Sequence, residues 1–200
     1  MKKLLSSDRI IIRFLGLYLL SLIFLLLSWI IAYYFLPEGL LRGKTVLSNL
    51  AGEKAASSLM IEFFKIFSLN LIAFSVIVLG NYILKVKYFA FGYLVPLAWT
   101  IIYGMTLGTN SFAIPMVEKM APTLRVFLRS GPYEMMAAVL LAVATDCISI
   151  NRSSSFFKKA EPISQHERGK MQKENWLAAA ISLLILAAAV FREAYMIFQL

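Results

Sequence analysis

Long apolar runs separated by short polar segments set the pattern of the chain. Five runs, at 10–36, 67–84, 88–114, 131–150 and 176–191, stand out, and most reach the roughly 20 residues a helix needs to cross a hydrocarbon core of about 30 Å. They predict an all-α fold: a polytopic membrane helix bundle of about five transmembrane helices, forming a single transmembrane domain over residues 1–200. The first run is too long and too lightly charged for a cleavable signal peptide. No small-residue cleavage site follows a short core, and the run continues into "WIIAYYF", so it reads as an anchor that stays.

The connections carry the remaining pattern. In 37–66, helix breakers come first, and then Leu47, Leu50, Leu59 and Phe63 lead with Phe67 into a spacing that fits an interfacial helix or one packed on the bundle's outer side; a charge-balanced surface loop is the alternative. Spans two and three are joined only by "KVK", Lys85 to Lys87, which makes them an antiparallel hairpin. The stretch "AIPMVEKMAPTLRVFLRS" holds Pro115 and Pro122, so it is not one unbroken helix and is expected to lie along the outer interface. Residues 151–175 form a basic, Ser-rich loop, to be read as a tether or as a docking surface.

Composition sharpens this reading, since 60% of residues are hydrophobic and only 16% are charged. The net charge of +9 raises nucleic acid as a partner, but the basic residues are dispersed among the loops and fit a topology signal instead. With the N-terminus in the cytoplasm, the inner segments hold Lys2, Lys3, Arg9, Arg13, Lys85, Lys87, Arg152, Lys158, Lys159, Arg168, Lys170 and Lys173. The expected location is therefore a membrane crossed several times, with a cytoplasmic N-terminus, an extracytoplasmic C-terminus and membrane lipid all round. The single cysteine, Cys147, excludes an intrachain disulfide and a thiol metal site.

Polar residues inside the spans are the candidates for function. Asn70 and Asn81 lie eleven residues apart, which puts them within about 20° on one helix face. That face meets protein or water, through interhelical hydrogen bonds or as a polar substrate path. Gly104 and Gly108 form a small-xxx-small pattern for close packing or dimerisation, and Pro96 is a candidate kink. With Gly131 as N-cap, Glu134 falls at the third helical position as a capping carboxylate, with Arg125 or Arg129 in reach. Asp146 lies about 18 Å further along the helix, too far to form an acid/base pair with Glu134 within it. It pairs with Arg152 or a loop lysine, snorkels to the interface, or relays a proton or ion. His166 has no second His or Cys to build a zinc site, and HExxH, GxSxG, P-loop and dinucleotide fingerprints are absent, so no cofactor is expected.

The order of "NLIAFSVIVLGNY", "IIYGMTLG" and "RSGPYEMMAAVLLAVA" resembles the stage II sporulation protein M family of integral membrane proteins over roughly residues 45–150. That family opens its fourth span with Pro-His-Gly-x-x-Glu. Gly131 and Glu134 match, whereas Arg129 and Ser130 stand at the Pro and His positions. The resemblance implies a non-catalytic subunit of a bacterial cell membrane, associated either with export or maturation of a bacteriocin-like peptide beside a cytoplasmic ATPase or with sporulation-type scaffolding of envelope proteins. A homodimer fits the glycine pattern, and Lys85, Lys87, Lys158, Lys159 and Arg168 are the expected partner-docking residues. An intramembrane enzyme using Glu134 or Asp146 is the third reading.

Overall fold

A computed structural model describes residues 2–44, 56–112, 118–128 and 130–199. Helix α1 (Lys2–Leu5) precedes α2 (Ile10–Phe35), and α3 spans Leu59–Ile83. A hairpin of β1 (Lys85–Val86) and β2 (Phe89–Ala90) leads through a 3-10 turn, Phe91–Tyr93, into α4 (Leu94–Gly108). Then follow α5 (Leu124–Phe127), α6 (Ser130–Ala144), β3 (Asn151–Ser153), β4 (Glu161–Pro162) and α7 (Lys173–Phe198).

Four helical stretches are long and apolar enough to cross a membrane: Ile10–Phe35, Leu59–Ile83, Phe91–Gly108 and Lys173–Phe198. Their outward side chains, such as Leu15, Leu19, Ile23, Ile72, Leu79 and Leu184, are exposed aliphatics, the surface a bundle offers to lipid. The fifth expected span is shorter than its apolar run. Helix α6 has 15 residues, about 22 Å of rise, and the chain then turns at Thr145–Cys147 instead of continuing to residue 150. It is also the innermost helix, packing against α2, α3, α4 and α7. Its alanines explain how: Ala137, Ala138, Ala142 and Ala144 are fully buried, and small side chains let the neighbouring helices approach from all sides.

Several local expectations change. The second span starts at Leu59, so Phe63 and Phe67 belong to the helix, while Leu47 and Leu50 lie outside the described residues. Its start is set by Ser58, whose hydroxyl accepts the Ile61 N–H at 3.3 Å. Between α2 and α3, residues 45–55 lie outside the described residues and so does the core of the expected interfacial helix; between α4 and α6 the described helix is Leu124–Phe127, and Pro115 lies outside the described residues. Pro96 does not kink α4, because it sits in the first turn, where backbone N–H groups lack helical acceptors.

The connections at one end of the bundle pair into a small sheet of order β2-β1-β3-β4. β1 runs antiparallel to β2 and parallel to β3, with Lys85 opposite Arg152 and Val86 opposite Ser153. Residues 151–162 are therefore tied to the hairpin rather than forming a free tether. The same end is closed by α7, where Gln172 and Asn175 form a capping box and Asn175 Nδ2 donates to the carbonyl of Ala144, 2.8 Å away.

Candidate functional site

Asp146 sits at this sheet end, 2% exposed, in a cluster drawn from four elements. Arg13 of α2 places Nε 3.2 Å from Oδ2 as an ionic contact, and its Nη2 donates to Oδ1 at 3.4 Å. The Tyr93 hydroxyl donates to Oδ2 at 2.7 Å. Lys85 Nζ lies 3.6 Å from Oδ2 and donates to the Asp146 carbonyl at 3.3 Å. Arg13 is in turn fixed by Nη1 donating to the carbonyls of Ser7 and Asp8, at 2.8 and 2.9 Å. A buried carboxylate is thus matched by two cations and a phenol, with both of its oxygens engaged. The expected partner Arg152 instead pairs with Glu167 at 3.9 Å on the surface. Cys147, in the turn beyond α6, has its thiol pushed up first by burial and then by the Asp146 charge.

Asn81 forms a second joint one layer inside. Its Nδ2 donates to the Ala142 carbonyl at 2.7 Å and to Thr145 Oγ1 at 2.8 Å, while its Oδ1 accepts the Gly92 N–H at 3.0 Å. One amide therefore ties α3, α6 and the 3-10 turn. Gly92 allows this approach, since a Cβ there would strike the Ile77 carbonyl and Asn81 itself. Asn70 behaves differently despite sharing the face. Its Nδ2 donates to the Ile66 carbonyl in its own helix at 3.0 Å, and its Oδ1 is buried without a hydrogen-bond partner among the described residues.

The two glycines of α4 meet α2 of the same chain. A Cβ on Gly104 would lie 2.6 Å from the Leu25 carbonyl oxygen, and one on Gly108 would lie 2.6 Å from the Tyr33 amide nitrogen. The small-xxx-small stripe is therefore used within the bundle.

At the opposite end, Glu134 is the fifth residue of α6, beyond the first turn, so it is not a capping carboxylate. It is buried, its Oε1 meets no N–H or hydroxyl donor among the described residues, and its side chain faces Glu193 of α7. Of the expected arginine partners, Arg125 is exposed and Arg129 lies outside the described residues. Arg192 stacks over Tyr133, 5.6 Å from the ring centre, and Glu62 pairs with Lys65 at 3.5 Å.

The sheet presents the expected docking residues unevenly. Lys85 is committed to Asp146, whereas Lys87, Lys158, Lys159 and Arg168 are exposed. Beside them Phe157 is 99% exposed, and Phe156 packs edge-to-face on Phe89 at 5.9 Å. A cavity of about 240 Å³ lies between the hairpin and this tip, lined by Val86, Lys87, Tyr88, Phe89, Ser155 and Phe156.

Sequence reasoning does not single out the roles of Arg13, Tyr93, Glu193 and Phe157. "FFKK" in a polar loop is the one available signal, an aromatic pair without an apolar run around it. Comparison with known protein families, with curated proteins and with solved structures gives no match to this chain.

Proposed function

We propose that this chain is a non-catalytic subunit of a multiprotein membrane complex, serving export or maturation of a peptide substrate with a cytoplasmic ATPase as its partner. The observation that carries this reading is the sheet at one end of the bundle. Phe157 stands almost wholly in solvent beside Lys158 and Lys159, next to a cavity sized for a partner's side chain. An exposed aromatic anchor with a basic surround suits docking on an acidic protein surface. The concentration of Lys and Arg at this end favours a cytoplasmic position, where an ATPase is found. The polar residues inside the bundle support a structural part, because Asp146 and Asn81 spend their hydrogen-bonding groups on joining helices. The resemblance to the stage II sporulation protein M family points the same way.

The test is copurification from native membranes in mild detergent. An ATPase subunit is expected with the unaltered chain, and the triple variant Phe157→Asp, Lys158→Glu, Lys159→Glu should lose it while eluting as the same folded species. An unaltered preparation that carries no nucleotide-hydrolysing partner overturns the proposal.

A further inference from the structure

The sides of α2 and α7 that flank α6 leave a groove of about 460 Å³, separate from the sheet cavity. Met136 and Leu140 of α6 and Phe14 of α2 contribute to an almost wholly apolar lining. From Glu174 to Ile185 that lining follows α7 for eleven residues, about 16 Å, close to half the thickness of a hydrocarbon core. A groove one leaflet deep matches a lipid chain, whereas a partner helix would run the full depth of the bilayer.

The mouth carries the specificity. Arg9, just before α2, and Glu174, the second residue of α7, line the groove at the sheet end, and neither side chain has an ion-pair or hydrogen-bond partner among the described residues. A guanidinium and a carboxylate lining one groove are complementary to a headgroup that holds a phosphate and an ammonium. A primary ammonium can donate hydrogen bonds to Glu174, which a quaternary one cannot. We infer that the groove binds one phospholipid of the phosphoethanolamine class, with an acyl chain along Met136 and Leu140, its phosphate on Arg9 and its ammonium on Glu174.

Native mass spectrometry of the full-length protein, released from mild detergent with equal amounts of phosphatidylethanolamine and phosphatidylglycerol, tests this. The expected result is a single retained phosphatidylethanolamine, favoured about ten-fold, as a charge-assisted hydrogen bond allows. Glu174→Lys, at an exposed position that cannot upset the core, should shift the preference to the anionic lipid. Leu140→Trp should reduce retention of both. Equal retention of the two lipids means boundary lipid only and overturns the inference. So does an unchanged preference in Glu174→Lys, or a lipid-free dimer as the main species.

Discussion

Asp146 shows how a buried charge is kept by its neighbours rather than by its own helix. Its cations come from residues 13 and 85, so their distance in sequence hides the pairing, and the nearby Arg152 is the natural wrong choice. Removing the carboxylate strands the mostly buried Arg13, and leaves the partly exposed Lys85 without its counter-charge; uncovering a buried charge in this way typically costs about 3–5 kcal/mol. Asp146→Leu should therefore lower the melting temperature in detergent sharply. Adding Arg13→Met to that variant should recover part of the loss, because one of the two stranded charges is gone. Strictly additive effects of the two substitutions would show that the contact contributes nothing. Glu134 misleads for a related reason. Its spacing from Gly131 fits a cap, but the helix starts at Ser130, two residues earlier than that cap requires, and the group it faces, Glu193, comes from another helix.

At the scale of elements, the packing of α4 on α2 rests on the absence of two side chains. A Cβ at Gly108 would come within 2.7 Å of the Ala32 Cβ and the Trp29 carbonyl oxygen, and Trp29 is itself buried and anchored by Nε1 donating to the Met120 carbonyl at 2.8 Å. Gly108→Val should therefore push the helices apart and destabilise the fold by about 1–3 kcal/mol or more. Ile102→Val, on the exposed side of the same helix, is the control expected to leave the melting temperature unchanged; equal shifts in both would refute the packing argument. The glycine spacing made a close backbone approach legible, but not that its partner is α2 of the same chain; length and hydropathy made the long helices legible. The sheet was not legible, because strands of two or three residues carry no period to read. The central helix was only half legible: its apolar run is long enough to span, but nothing in that run marks the stop at Ala144, where Thr145 and Asn175 donate to the Leu141 and Ala144 carbonyls of the helix end.

For the whole molecule, the ion cluster fixes which connections share an end. Arg13, Lys85, Tyr93 and Asp146 meet, so the start of α2, the β1–β2 hairpin and the segment after α6 lie together, and Asn175 adds the start of α7. The start of α3 and the end of α7 are then at the other end, where Phe63 packs on Phe191 at 6.2 Å. The bias of basic residues predicts that the sheet end faces the cytoplasm. Single cysteines at Ser6, Ser57, Ser164 and Gln199, in a Cys147→Ser background, turn this into a labelling experiment with a membrane-impermeant maleimide. Positions 57 and 199 should react in intact cells, and 6 and 164 only after permeabilisation. A split between 6 and 164 would contradict the arrangement of the ends in the fold. The reverse pattern, with 6 and 164 labelled from outside, would keep the fold but put Phe157 and its lysines beyond the reach of any cytoplasmic ATPase.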